Sequence, residues 1–273
     1  MEALTHGTVE DFLAVAGEFL DADPVTYNVH LTGVESARRG IGPAAALVSL
    51  HDGGALVGAV TRLEDWPLHV AAMPVDAAPL VAEVLRGQPI DAVSGPRARV
   101  EAFRSRWREG GRESFRLRFH RLEDLVVPDV PGEARRTTAT DHDLLTEWWV
   151  RFAVELEGMD RAEAREVARG GLVRPAGHVL WVDGGRPVSW AATTEPVAGV
   201  SRVGPVYTPP EHRRKGYGAA ATAAVCRWAR HAGADHVVLA ADHANPTANS
   251  IYQGIGFRYV TDWSEYRWSA EEL

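Results

Sequence analysis

The sequence predicts a mixed α/β (α+β) protein built as two similar halves, and three observations carry that prediction. A strand–Asp-Gly-Gly–strand unit occurs twice, the helices and strands around each copy come in the same order, and a Pro- and Gly-bearing stretch separates them. The two units read AALVSLHDGGALVGAV at residues 45–60 and GHVLWVDGGRPVSWAA at residues 177–192. Asp52 and Asp183 lie 131 residues apart in a chain of 273. Asp-Gly followed by Gly between apolar runs signals a hairpin, because the turn needs φ > 0 where glycine alone is comfortable. Repetition near half the chain length indicates a duplicated domain.

The elements follow in order. Helical stretches are expected at Val9–Leu20 and Pro24–Arg38 before the first hairpin, and at Asp141–Val154 and Asp160–Ala168 before the second. Thr140 with Asp143 is the expected N-cap pair of the third helix. After each hairpin a further apolar strand ends near a proline, at Pro67–Pro74 and at Ser201–Pro209. A helix, a short strand and another helix follow in each half. Each half then ends in a strand with alternating aromatics, SFRLRFHRL at 114–122 and FRYVTDWSEYRW at 257–268. The stretch LVVPDVPGEARR, 125–136, has the Pro and Gly of a connector. The expected domains are therefore 1–124 and 134–273, with residues 125–133 as linker.

Composition narrows the function classes. No apolar run approaches the ~18 residues of a membrane span, and the start, MEALTHGTVEDF, has neither a basic region nor an apolar signal core. The expectation is a cytoplasmic protein with no membrane partner, existing as monomer or homodimer. Cys226 is the one cysteine, which excludes an internal disulfide and a Cys-x-x-Cys metal site. His231, His236 and His243 are close in sequence but fall on a helix end, a strand start and a loop, so no metal site is expected. The net charge of −8 argues against nucleic acid, whose phosphates demand a basic face. Residues 1–132 carry 13 Arg against 19 Asp and Glu, whereas the second half is nearly balanced. That half also holds the cation run Arg213-Arg214-Lys215, with the chain's single lysine.

The two halves differ where chemistry is expected. In the second, the strand GPVYTPP leads into Arg213-Arg214-Lys215-Gly216-Tyr217-Gly218-Ala219-Ala220 and an Ala-rich helix ending near His231. Glycines let backbone approach a ligand closely, and amides at a helix start form an anion-binding concavity. A pyrophosphate suits such a site. The matching stretch of the first half, Met73-Pro74-Val75-Asp76-Ala77-Ala78-Pro79, has neither glycine nor cation. Neither a Walker loop nor the dinucleotide Gly-x-Gly-x-x-Gly is present.

Preceded by VYTPP, the Arg-x-x-Gly-x-Gly loop resembles the acetyl-CoA pyrophosphate loop of the GNAT N-acetyltransferase superfamily. A second signature follows the strand HVVLAA, at 236–241. Asn245, Ala248, Tyr252, Gly256 and Phe257 fill the places of that family's Asn, Ala, Tyr and Gly-Phe. The resemblance covers residues 134–268, and residues 1–124 resemble a degenerate copy. It implies two tandem GNAT-like domains, each a mostly antiparallel, splayed sheet flanked by helices, with acetyl-CoA as cosubstrate of the second. It further implies that Val206, Tyr207 and Thr208 pair with the pantetheine arm as an added strand does. The segment from Arg213 through Arg214, Lys215, Gly216, Tyr217 and Gly218 to Ala219 would hold the pyrophosphate. Asn245 would hydrogen-bond the pantetheine or thioester region, Asn249 would also contact the cosubstrate, and Tyr252 would protonate the departing CoA thiolate.

Acyl transfer to an amine needs a neutral amine, an oxyanion donor and a proton for the leaving sulfur. A backbone N–H near Val206 is the oxyanion candidate. An alkyl amine with a pKa near ~10.4 is mostly protonated at neutral pH, so a base or water chain must drain a proton. Where histone-type relatives carry a glutamate on this strand, the chain has Arg202. Glu195, Glu155 and Glu157 are the substitutes. The expected function is transfer of an acetyl group to a small-molecule amine, for which the acidic surface suits a cationic acceptor. A non-catalytic acyl-CoA-binding module and a protein or peptide N-acetyltransferase are the alternatives. Cys226 and Trp148, Trp149 and Trp181 are expected in the core; Trp190 is either core or the lining of an acceptor pocket.

Overall fold

A computed structural model describes residues 1–156, 158–171 and 176–268. The chain opens with strand β1 (Glu2–Thr5), helices α1 (Val9–Asp21) and α2 (Asn28–Arg38), and strands β2 (Ala44–Asp52), β3 (Ala55–Leu63) and β4 (Leu68–Ala72). Helix α3 (Ala78–Val84), strand β5 (Ala92–Pro96), helix α4 (Arg97–Trp107) and strand β6 (Arg112–Leu122) follow. The same order then recurs. It runs through β7 (Glu133–Arg136), α5 (His142–Leu156), α6 (Arg161–Gly171), β8 (Ala176–Asp183), β9 (Arg186–Thr194) and β10 (Val200–Tyr207). It closes with α7 (Tyr217–His231), β11 (His236–Asp242), α8 (Pro246–Gly254) and β12 (Phe257–Arg267).

Local chemistry accounts for most boundaries. Thr8 caps α1 by accepting from the Asp11 amide, and Phe12, Ala16 and Leu20 form a fully buried stripe at i, i+4 spacing. Helix α2 begins at Asn28 rather than at Pro24, because Asp23 holds a turn through the Thr26 amide at 3.2 Å. Both Asp-Gly-Gly hairpins form: Gly53 and Gly54 have φ of 57° and 85°, and Gly184 and Gly185 have 56° and 77°. Two edge strands, β1 and β7, went unforeseen. They are four residues long and lack alternation, and β7 begins at the last residue assigned to the linker.

The cap before α5 lies two residues earlier than the expected Thr140–Asp143 pair. Thr138 and Asp141 form a capping box on the 3₁₀ turn Ala139–Asp141 that leads into α5. Arg135 donates to both Asp141 oxygens, at 2.9 and 2.8 Å. These bonds, with those from Thr138, hold the carboxyl well below the usual carboxylate range. The folded state therefore binds this proton more weakly than the unfolded chain, whose Asp titrates near ~3.9. The stabilisation is complete above that pH and is lost as pH falls toward the depressed folded value. Asp141→Ala is expected to cost about 1–2 kcal/mol at neutral pH. In denaturant titrations the gap from the parent protein narrows below about pH 4. A gap that stays constant through acid would show that the ionised carboxylate is not what stabilises this turn.

The chain divides into two compact units that are not contiguous halves. The first comprises Met1–Phe119, Ala241–Asn245 and the chain from Val260; the second comprises His120–Ala240 and Pro246–Tyr259. A plain cut at residues 124 and 134 therefore does not describe them. In the first unit β1, β2, β3 and β4 pair antiparallel in order, and β4 meets β5 in parallel at Leu68↔Val93 and His69↔Ser94. β5 then pairs antiparallel with the end of β12, from Trp263↔Pro96 to Arg267↔Ala92. Leu50, Leu68, Met73, Leu85, Ile90 and Phe103 form a core with no exposure at all.

In the second unit the order is β7-β8-β9-β10-β11, with β10 and β11 parallel and the others antiparallel. Trp190 and Leu180, fully buried, pack with Trp148 and Leu145 of α5 and with Tyr207. The small side chains of α7 let it lie close to β8, β9 and β10, with Ala221, Val225, Cys226 and Ala229 fully buried. Trp148, Trp181 and Cys226 are core residues as expected, and Trp149 is half-buried. Trp190 is core too, its ring stacked on His178 at 5.8 Å.

Candidate functional site

The site is built around β10. Over Val200–Val203 this strand pairs in parallel with His236–Leu239 of β11. It then shifts register against β9 between Val203 and Val206, and goes on pairing with β9 at Val206↔Ala191 and Tyr207↔Trp190. Past Val203, Gly204 is exposed and Pro205 and Val206 are half-buried, whereas Tyr207 is buried. The backbone of 204–207 is thus an open strand margin. Among the described residues the first unit has no such opening. β4 is buried at every residue, and a Cβ on Gly95 of β5 would stand 2.9 Å from Val70 and 3.3 Å from the Ala71 amide. The two strands there leave no room between them.

From Thr208 the chain passes through a 3₁₀ turn, Pro210–His212, into the loop and α7. Arg214 has φ 63° and Gly216 has φ 80°. A left-handed arginine is a sparsely populated conformation that concentrates at ligand-binding loops. Gly216 is the N-cap of α7 and provides no side-chain cap, so the first amides of the helix have no side chain to satisfy them from that position. Arg214 and Lys215 are exposed, and among the described residues neither is in an ion pair. A strand end, two left-handed residues, an uncapped helix start and two presented cations make a cradle for an anion.

The cradle is fastened on several sides. Ser189 of β9 donates to the Tyr207 carbonyl at 3.1 Å and stands 2.9 Å from the Thr208 hydroxyl. Gly218 lies against that hydroxyl, 3.1 Å from where its Cβ would be. Tyr217, nearly buried, donates its hydroxyl to Asp183 of the second hairpin, and this bond raises the phenol's pKa. A Cβ on Gly216 would stand 2.7 Å from Val130. The segment read as linker therefore packs on the loop, and Pro131 accepts from Trp181 Nε1 at 2.8 Å. In the sequence Asp183 reads only as a turn residue and Val130 only as connector. Nothing in their local sequence marked the contacts.

Tyr252 stands on α8. Its ring meets Phe257 edge-on at 6.2 Å. The residue as a whole is half-buried, but burial of its hydroxyl, with a smaller influence of Cys226, pushes its pKa up to about 12. Burial also pushes the Cys226 thiol up to about 12, so this cysteine is an inert filler. Asn249, on the same face of α8 one turn earlier, is 3% exposed. Ala219 is half-buried in the first turn of α7. Asn245 falls in the first unit, immediately before α8, with its amide donating to the Asp242 carbonyl at 3.1 Å.

The candidate bases are placed apart. Glu195 follows the last residue of β9, and the Val203↔Thr193 register puts it on the side of β10 away from the open margin. Glu155, at the end of α5, is paired with Arg213. Glu157 lies outside the described residues. Arg202 sits on the paired part of β10, where burial pulls its guanidinium below its ordinary pKa.

Residues 142–257 match the family model described as acetyltransferase (GNAT) family. None of the curated proteins matches in sequence. Among solved structures, the chain is similar to a GCN5-related N-acetyltransferase from Kribbella flavida, at 20% identity over 87% of this chain and 93% of that one, with a TM-score of 0.58. A tandem GNAT protein from the clavulanic acid biosynthesis pathway is similar at 16% identity over 97% of both chains, with a TM-score of 0.58. A GCN5-related N-acetyltransferase from Sphaerobacter thermophilus gives 15% identity over 97% and 95%, again at 0.58. At these identities the structures share the fold, and the fold extends over nearly the whole chain. The glycine loop and the opened strand both lie inside the segment that matches the family model, residues 142–257.

Proposed function

We propose that the protein transfers an acetyl group from acetyl-CoA to a primary amine of a small molecule, by direct attack within a ternary complex. One observation carries this reading most: α7 starts at Gly216 without a side-chain cap, with Arg214 and Lys215 exposed beside it, where the open margin of β10 ends. The open margin of β10 offers backbone to an extended pantetheine arm. The residues present fit the cosubstrate, because that uncapped helix start and those exposed cations stand side by side. Bound acetyl-CoA supplies an activated thioester.

The chain's own residues then have distinct tasks. The amides from Arg214 to Ala219 and the side chains of Arg214 and Lys215 bind the pyrophosphate. The backbone of Val206, Tyr207 and Thr208 pairs with the arm, and a β10 amide near Val206 polarises the carbonyl. Asn245 and Asn249 are proposed near the thioester on the family resemblance alone. Tyr252 keeps its proton at Oη and donates it toward the departing sulfur. The amine's proton leaves through solvent or Glu195. The first unit, with a closed β4 and no cations at Met73–Ala77, serves as a degenerate partner domain without a CoA loop.

Rapid mixing of protein and acetyl-CoA with a panel of small primary amines is the direct test. CoA release is expected to require both substrates, with intersecting initial-velocity lines. Tight acetyl-CoA binding without release for any amine would leave a binding module instead. Transfer confined to peptide termini or lysines would replace the acceptor class.

A further inference from the structure

We infer that Glu155 is a positioning residue for the cosubstrate: it locks Arg213 and so holds the start of the phosphate loop in its receptive shape. The inference rests on the acetyl-CoA reading above. Arg213 is the first of the three cations, yet its side chain is turned back onto the protein. Its Nε donates to the Thr208 carbonyl at 2.9 Å, its Nη2 pairs with Glu155 Oε1, and its guanidinium lies 6.0 Å from the centre of the Tyr207 ring. A planar fork occupied in this way acts as a bracket between strand end, helix end and loop. Arg214 and Lys215 are then the cations left to face a ligand.

The helix sequence alone does not dictate this pairing. Glu147, Arg151 and Glu155 follow at i, i+4 spacing on α5, so Arg151 could pair with either glutamate. Its Nε goes to Glu147 at 2.9 Å, where Arg161 joins at 3.1 Å. Glu155 is thereby left to the loop. Its position also separates it from the chemistry. The pair lies beside Tyr207, past Val206 on the way into the phosphate loop, and Arg213 engages the carboxylate there. Glu155 therefore acts through Arg213 and not as the amine's base. The first unit has no counterpart, since Met73–Ala77 contains no arginine.

A partly exposed pair of this kind is worth up to about 1 kcal/mol, which is about fivefold in affinity. The test compares the parent protein with Glu155→Gln and Glu155→Asp by calorimetric titration with CoA, amide hydrogen exchange without ligand, and turnover at saturating acetyl-CoA. Glu155→Gln is expected to exchange faster at residues 213–218 and to bind CoA about fivefold more weakly, with turnover within about twofold of the parent. Glu155→Asp should recover part of both losses. Equal or tighter CoA binding by Glu155→Gln overturns the inference, because a released Arg213 would then serve the phosphates unaided. Lost turnover at unchanged affinity overturns it as well and moves Glu155 into the chemical step. A parent protein that binds no CoA overturns the acetyl-CoA reading and this role with it, an outcome distinguished by the flat parent titration.

Discussion

In the Gly216→Asp variant, CoA affinity falls at least about a hundredfold while the fold survives, the equivalent of about 2.7 kcal/mol. Three effects act at one position. The backbone there has φ 80°, which aspartate tolerates better than most residues but less well than glycine. A Cβ would stand 2.7 Å from Val130, so the strap beneath the loop must shift. Most important, Asp at the N-cap accepts the very amides that a pyrophosphate needs and places a negative charge among them. Helix α7 gains a cap as the ligand loses its donors. Calorimetry with CoA, beside a thermal melt, separates these consequences. Gly216→Ala serves as the steric control, expected to bind more weakly than the parent but better than the aspartate. Unchanged CoA affinity in Gly216→Asp would remove the loop from the site.

Tyr252→Phe is expected to lower turnover by about a hundredfold, the lower range of a lost general acid, and to leave CoA affinity within about twofold. Phenylalanine keeps the edge-on contact with Phe257 and deletes only the buried hydroxyl. With its pKa pushed up to about 12, the phenol is protonated throughout the range in which the protein can be assayed. Rate changes with pH near neutrality therefore report the amine or its base, not Tyr252. An alkyl thiol titrates near ~8.5, so a phenol this weakly acidic stabilises the departing sulfur chiefly as a hydrogen-bond donor. Rate and CoA affinity falling together in Tyr252→Phe would sink the assignment.

The parts of the structure legible in the sequence are those whose cause is local. The Asp-Gly-Gly hairpins are dictated by backbone that glycine alone accepts, and the loop by glycines and cations at a strand–helix junction. The Ala-rich helix and buried Cys226 follow from small apolar side chains that must meet a sheet. What stayed illegible depends on distant partners. The capping box moved from Thr140–Asp143 to Thr138–Asp141 because Arg135 fixes Asp141 from a strand with no alternating pattern. Arg213 reads as a phosphate ligand until Glu155, 58 residues earlier, is seen to hold it. Val130 reads as connector until its contact with Gly216 appears. For the same reason the proton acceptor is the least legible part of the site. Glu195 lies beyond the opened strand, and its sequence neighbours say nothing about what it faces.

The pairing of β5 with β12 bears on how the protein is made. Ala92 and Arg267 are partners, so the first unit waits for residues synthesised 175 positions later. Domains usually fold in the order in which they leave the ribosome. Here the earliest unit is the last to close: every strand of the second unit from β7 to β11, and its helix α8, emerges before β12. During translation the edge of β5 stays bare, and pairing across so long a stretch is slow to form. Loss of the last dozen residues would therefore injure the N-terminal unit first.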